Sequence, residues 1–89
     1  MNLDKMAIIG FGSIGKKHFL SAKKIKPEIK ISTVSSQKLI AKSFPIHKKF
    51  STISAAILDG IQAAIISNPA PYHIKSATEL INADVNVLI

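Results

Sequence analysis

The sequence lacks cysteine and arginine altogether. Without cysteine, the 89 residues cannot form a disulfide framework, a thiolate metal site or a cysteine nucleophile. Without arginine, they lack the side chain that most often grips phosphates and base edges. The net charge of +7 comes from lysines spread along the chain, and we interpret it as a solvated lysine-rich surface. A nucleic-acid-binding protein is an alternative that only the charge suggests, and we do not expect a nucleic-acid partner.

Long apolar runs are also missing. No stretch approaches the ~20 apolar residues that a membrane-spanning helix needs, and the polar N-terminus does not have the pattern of a secretory signal. We therefore expect a cytoplasmic protein without a membrane partner. With 47% apolar and 19% charged residues, the composition is that of a globular chain. Its length allows one domain at most.

Apolar segments of strand length alternate with segments of helical periodicity along the whole chain. Strands are predicted at residues 5–9, 29–34, 46–50, 63–67 and 85–89, and helices at 13–25, 37–43, 53–58 and 72–82. Because the connections can hold a helical crossover, neighbouring strands should run parallel. The pattern predicts an α/β fold with a doubly wound, mostly parallel sheet of the Rossmann type, in the strand order 3-2-1-4-5.

Two of the predicted helices carry an apolar stripe. In the first helix the stripe consists of Ile14, His18, Ala22 and Ile25, and in the last of Ile74, Ala77, Leu80 and Ile81. We expect both stripes to face the core. A histidine within such a stripe is more often packed and hydrogen-bonded than a ligand, so His18 is interpreted as structural.

A glycine-rich turn joins the first strand to the first helix. In "MAIIGFGSIGKKH" (6–18), Gly10, Gly12 and Gly15 have the spacing G-x-G-x-x-G. In a dinucleotide site the first glycine permits the tight turn, the second lets the backbone approach a pyrophosphate, and the third lets helix and strand pack closely. The first helical amides, around Ser13 and Ile14, would hold the phosphates at the positive end of the helix dipole.

The end of the second strand decides which dinucleotide would fit. Ser35 lies 20 residues after Gly15, where an aspartate or glutamate would bind the ribose hydroxyls of NAD. Ser35, Ser36 and Lys38 offer neutral donors and a cation, which suit a 2′-phosphate better. We lean weakly towards NADP over NAD. The alternative is that a serine ends this strand for reasons of turn geometry alone.

A second polar segment follows the fourth strand. Asn68 and Pro69 lie beyond its carboxyl end, where they could line the nicotinamide ribose pocket, or could simply form a proline-stabilised helix entry. His73 follows in the first turn of the next helix and is a candidate for contact with the nicotinamide side. The three histidines have no spacing typical of metal ligands, and no serine lies in a nucleophile motif. We therefore predict neither a metal site nor a catalytic nucleophile.

Three ordered segments resemble the N-terminal part of the Gfo/Idh/MocA oxidoreductases, the glucose–fructose oxidoreductase, inositol dehydrogenase and rhizopine-catabolism family. Residues 10–18 match that family's G-x-G-x-x-G-x-x-H opening. "DGIQAAIISNPAPYH" (59–73) resembles its Asp, apolar strand and (T/S)-P-x-x-x-H, with Asn68 in place of threonine. "ATELINADVNVL" (77–88) is similar to the helix and strand before its Glu-Lys-Pro signature, with Asp84 in place of glycine.

The resemblance implies an NAD(P)-binding segment of an oxidoreductase that acts on the CH-OH group of a sugar or polyol. Together with the residues at the end of the second strand, it gives twelve expected cofactor-binding residues: Gly10, Phe11, Gly12, Ser13, Ile14, Gly15, Ser35, Ser36, Lys38, Asn68, Pro69 and His73. The family's chains are several times longer, and the lysine of its Glu-Lys-Pro carries the chemistry. That signature does not occur in these 89 residues, so we predict no catalytic residue here.

We accordingly expect residues 1–89 to be a single, partial NAD(P)-binding domain, truncated before a substrate domain. Such a domain should bind the dinucleotide without turning over a substrate. Its truncated sheet edge could support self-association. A non-catalytic module that senses or regulates through NAD(P) is an alternative that fits the sequence equally well.

Overall fold

The computed structural model describes residues 3–35, 44–68 and 70–88. Its five strands form one parallel sheet in the order β3-β2-β1-β4-β5, which confirms the predicted fold class and strand order. The strands are β1 (Lys5–Ile9), β2 (Lys30–Val34), β3 (Lys49–Phe50), β4 (Ala63–Ile66) and β5 (Asn86–Leu88). The central strand β1 is almost continuously apolar because both of its faces are covered.

Helices connect the strands and cover the sheet. They are α1 (Ser13–Ile25), α2 (Ile53–Leu58) and α3 (His73–Asn82), the last preceded by a short 3₁₀ turn, Ala70–Tyr72. Thr52 begins α2 as its N-cap, since its hydroxyl accepts a hydrogen bond of 3.2 Å from the amide of Ala55. Across the described parts of the chain, no helix combines the length and the apolar character needed to cross a membrane.

Most predicted boundaries hold to within one residue, and that of the third strand differs more. The third strand is only two residues long, although backbone bonds to β2 continue back to His47, whose amide donates to the carbonyl of Ile31 at 2.8 Å. The last helix starts as a 3₁₀ turn around Pro71, a frequent form of helix N-terminus. The helix predicted at 37–43 and the final strand residue, 89, lie outside the described residues.

The sheet separates two apolar clusters, because successive side chains of a strand point to opposite faces. One face is covered by α2 and α3 and includes Ala7, Ile9 and Leu80. The other is covered by α1, where Ile8 packs with three phenylalanines. The rings of Phe11, Phe19 and Phe44 meet edge to face, with centroids 5.2 to 6.0 Å apart. Both clusters hold the carboxyl ends of β1 and β2 in fixed positions.

The predicted inward stripe of α1 was wrong in part: Ala22 packs against the core, but Ile14 and Ile25 do not. The helix buries Gly15 and Phe19, whereas Ile14 is 61% and Ile25 85% exposed, and His18 is half-buried. The reason is a close contact: a β-carbon on Gly15 would lie 2.6 Å from the carbonyl oxygen of Gly10. Only a residue without a β-carbon can pack here, so the helix faces the sheet with Gly15. The face that the apolar side chains predict lies one residue earlier in the helix.

The predicted stripe of α3 was wrong in part. Leu80 is buried and Ala77 packs against the core, but Ile74 is 82% and Ile81 60% exposed. Ser76 occupies a buried position on the inner face instead. Its hydroxyl accepts a hydrogen bond of 3.1 Å from Nδ2 of Asn68, so a polar partner at the end of β4 compensates the burial of a polar group.

Candidate functional site

A cleft of about 1000 Å³ opens at the edge of the sheet where β1, β2 and β4 end. Seven of the predicted site residues line it, and they come from three separate segments of the chain: Gly10, Phe11, Gly12, Ile14, Ser35, Asn68 and His73. Ser13 and Gly15 lie beside them in the first turn of α1. Ser36, Lys38 and Pro69 lie outside the described residues.

Gly10 forms the turn at the end of β1. Its φ of +84° lies in the left-handed region, and a β-carbon there would come within 2.8 Å of the Asn68 Cα. Its amide donates a hydrogen bond of 2.8 Å to the carbonyl of Val34. Only glycine allows the ends of β1, β2 and β4 to meet this closely.

Gly12 and Gly15 have different surroundings. Gly15 is buried against β1, with Ser67 Oγ and Ile8 Cγ2 also within contact distance of a β-carbon placed there. Gly12 has no atom within 4 Å of the corresponding point and borders the cleft. The third glycine therefore serves helix packing, and the second leaves room in front of the backbone, as the spacing predicts.

The first turn of α1 directs backbone donors at this room. The helical ladder starts with the amide of Lys16, which donates to the carbonyl of Gly12 at 3.0 Å. The amides of Ser13, Ile14 and Gly15 precede it and have no acceptor within the helix. Gly12 provides no side-chain cap, and the first turn carries no acidic residue. The helix N-terminus thus has the donors and the dipole that favour an anion.

Phe11 contributes to the site through its backbone. Its side chain is 6% exposed and packs against Phe19 and Phe44 in the core. Because the ring is packed in the core, it holds the backbone of Phe11, and with it the glycine turn, in place. A direct contact of the ring with a ligand would require the loss of this packing.

Ser35 lies at the end of β2, on the second side of the cleft. Its amide donates to the carbonyl of Phe50 at 3.1 Å, which extends the pairing of β2 with β3 by one bond. The residue is half-buried and lines the cleft. The structure therefore places Ser35 next to the glycine turn, as the sequence predicts.

The end of β4 forms the third side. The hydroxyl of Ser67 shares its one proton between the Gly10 carbonyl at 2.5 Å and the Ile9 carbonyl at 3.1 Å, which ties β4 to the glycine turn. Nε2 of His73 lies 2.6 Å from the carbonyl oxygen of Asn68. Oδ1 of Asn68 is buried without a hydrogen-bond partner. An unpaired buried acceptor beside a cleft is suited to a donor on a ligand.

One wall of the cleft is not predicted by any sequence pattern. It is formed by the entry to α2, by the end of the 3₁₀ turn and by α3: Ser51, Thr52, Ile53, Tyr72, Ser76 and Glu79. No motif marks these residues. Only the predicted topology indicates that part of this wall lies at the cleft, because the loop after β3 must reach the same sheet edge as the loops after β1 and β2.

The ionisable groups show a contrast between the two edges of the sheet. No lysine is among the described residues that line the cleft. Near the opposite edge, the Lys48 ammonium lies 2.7 Å from Oδ1 of Asp59, and that of Lys5 lies 3.9 Å from Oδ2. The hydrogen bond from Lys48, together with the charges of Lys48, Lys5 and His47, lowers the pKa of the Asp59 carboxyl. This cluster joins α2 to the start of β1.

The glycine turn, the open helix N-terminus and the parallel strand order are those of a dinucleotide-binding fold. The Gfo/Idh/MocA oxidoreductase family, with its NAD-binding Rossmann fold, has a sequence profile that matches residues 5–89. The chain belongs to this family. It represents the family's NAD-binding Rossmann domain. No curated protein sequence matches the chain.

Solved structures have the same fold at low sequence identity. The oxidoreductase candidate yvaA from Bacillus subtilis is 21% identical, with a TM-score of 0.79 over 97% of this chain and 26% of that one. GenD2 from gentamicin A biosynthesis, solved with NAD, is 20% identical (TM-score 0.76; 98% and 26% covered). UDP-N-acetylglucosamine 3-dehydrogenase from Acidithiobacillus ferrooxidans is 19% identical (0.75; 98% and 29%). The chain spans about a quarter of the length of these relatives.

Proposed function

We propose that the chain binds a nicotinamide adenine dinucleotide in the cleft, with the pyrophosphate on the N-terminus of α1. The observation that supports this most directly is the open space in front of Gly12, beside three helical amides without an intrahelical acceptor. Backbone amides and a helix dipole can balance the pyrophosphate charge without a lysine in the cleft.

The two halves of the dinucleotide would extend to either side of the glycine turn. The adenosine ribose would lie at the end of β2, near Ser35, Ser36 and Lys38. The nicotinamide half would lie beyond β4, near Asn68, Pro69 and His73. The unpaired, buried Oδ1 of Asn68 suits a hydroxyl or amide donor on that half. When bound, the nicotinamide ring supplies hydride transfer.

The proposed reaction class is oxidation of a CH-OH group of a sugar or polyol, or the reverse reduction. The resemblance to the Gfo/Idh/MocA family implies it, and the names of two relatives accord with it: one is a UDP-N-acetylglucosamine 3-dehydrogenase, and one is a protein of gentamicin A biosynthesis. Because the chain spans about a quarter of those proteins, the reaction is proposed for a longer context that supplies the substrate-binding groups.

The 89 residues by themselves should bind the dinucleotide and leave it unreacted. They contain no Glu-Lys-Pro lysine, and neither His73 nor any other residue at the cleft is proposed to replace it. We also propose a weak preference for NADP over NAD. It rests on the absence of a carboxylate at Ser35, where one would repel a 2′-phosphate.

Titration of the 89-residue chain with NADH and NADPH tests the proposal. The chain has no tryptophan, so the fluorescence of the dihydronicotinamide can be followed against a low protein background. We expect saturable binding of both, with NADPH bound more tightly. Absence of saturation would contradict the proposed site, and tighter binding of NADH would contradict the NADP preference. Oxidation of sugars by the pure chain with NAD or NADP would contradict the expected lack of turnover.

A further inference from the structure

A carboxylate is held at the cleft by a contact between two helices. Oγ of Ser54, in the first turn of α2, donates a hydrogen bond of 2.8 Å to Oε2 of Glu79 on α3. Glu79 is half-buried and is the one acidic residue among the described residues that line the cleft. A single acid in a cleft suited to an anion needs an explanation.

The position of Glu79 indicates which part of the ligand it meets. A carboxylate repels phosphates, so the pyrophosphate would remain at the α1 N-terminus and a neutral group would approach Glu79. The adenosine half extends from Gly12 past the end of β2 towards the loop after β3. Val34 and Ile53 line the cleft there and offer apolar contact to a flat ring. Glu79 faces this same space from α3.

We infer that Glu79 accepts a hydrogen bond from the exocyclic 6-amino group of the adenine, and that Ser54 positions it for this contact. The inference rests on the proposed dinucleotide site. An ionised carboxylate can only accept hydrogen bonds. Ser54 occupies Oε2, which leaves Oε1 for the ligand. Glu79 would thereby select adenine over a purine that carries a carbonyl at position 6, because two acceptors would face each other.

A base-swapped dinucleotide tests this selection. NADH and its hypoxanthine analogue, reduced nicotinamide hypoxanthine dinucleotide, differ only in the base, where the 6-amino group is replaced by a carbonyl and N1 carries a proton. We expect the unsubstituted chain to bind NADH about tenfold more tightly than the analogue. In Glu79→Gln the amide can accept from the amino group or donate to the carbonyl, so the ratio should fall towards one. The fall should come mainly from tighter binding of the analogue.

Two further variants complete the experiment. Ser54→Ala frees the carboxylate, and we expect it to weaken NADH binding while leaving the affinity for the analogue unchanged. Glu28→Gln removes an exposed carboxylate before β2, outside the described cleft lining, and should keep the full preference. Equal binding of the two dinucleotides by the unsubstituted chain, or an unchanged preference in Glu79→Gln, would overturn the inference. Failure of both dinucleotides to bind would instead overturn the proposed function on which it rests.

Discussion

The imidazole of His73 is tied to the backbone of Asn68, with Nε2 lying 2.6 Å from the carbonyl oxygen. Because a carbonyl oxygen can only accept, Nε2 carries the proton and donates it. The bond joins the first turn of α3 to the loop after β4, next to Gly10. His73, which the sequence marks as a possible ligand contact, thus also holds in place the loop that forms one side of the cleft.

Replacement of His73 tests this structural role. His73→Ala removes the donor to a half-buried backbone carbonyl, so the free energy of unfolding should fall by about 1 kcal/mol. Urea denaturation followed by circular dichroism measures the loss. Lys75→Ala, at an exposed position of the same helix, is the control and should lose less. Equal stability of the two variants would show that the bond to Asn68 contributes nothing.

Gly15 should tolerate no side chain. An added β-carbon would lie 2.6 Å from the Gly10 carbonyl oxygen, which is backbone and cannot move without opening the turn. We expect Gly15→Ala to lower the free energy of unfolding by about 2 kcal/mol. Ser21→Ala, at an exposed position of the same helix, controls for helix propensity and should be neutral or slightly stabilising. A Gly15→Ala variant as stable as this control would contradict the contact.

The cluster around Asp59 should make stability depend on pH in the acidic range. Lys48 and Lys5 lower the pKa of its carboxyl in the folded protein, so the stabilisation is complete above the unfolded value of about 3.9. It is lost as the pH falls through the lower, folded pKa. Asp59→Asn should therefore unfold at a lower urea concentration than the unsubstituted chain at pH 7. The gap should narrow below pH 4; a gap that widens there would contradict the assignment.

We propose that the 89-residue chain self-associates through the exposed edge strand β5. This strand is last in the order of the described sheet, and its Leu88 is 65% exposed. Leu88→Lys places a charge at that edge and should weaken association about tenfold, measured by sedimentation velocity over a concentration series. Ile25→Lys, at an 85% exposed position of α1, is the matched control. An unsubstituted chain that stays monomeric throughout, or equal effects of the two variants, would contradict this edge.

The order of the strands and the position of the glycine turn follow from local sequence. Strand and helix periods, together with the parallel crossover rule, predict the bounds of β1 and α1 as the structure has them. The rotation of α1 does not follow, because it depends on the contact of Gly15 with the Gly10 carbonyl. A pattern of apolar side chains does not register a glycine. Here the missing side chain of Gly15 decides which face of the helix packs on the sheet.

Part of the candidate site can likewise be predicted from local sequence, and part of it cannot. The glycine turn and the loop after β4 are each encoded within a few residues, so motif spacing predicts them. The wall that includes Glu79 depends on a hydrogen bond to Ser54, 25 residues away in sequence. Side-chain contacts between separate helices have no signal in one sequence. They become visible only when the fold brings α2 and α3 together at the cleft.

Gly12 gives the most direct test of the central claim, that the open backbone at this position receives the pyrophosphate. Its backbone angles, φ −88° and ψ −157°, suit alanine, and no atom lies within 4 Å of an added β-carbon. Gly12→Ala should therefore fold with unchanged stability and bind NADH at least about tenfold more weakly. Gly60 has a φ of +87° and does not line the cleft. Gly60→Ala should therefore lose about 1 kcal/mol of stability and still bind NADH. Unchanged NADH affinity in a folded Gly12→Ala variant would contradict the account.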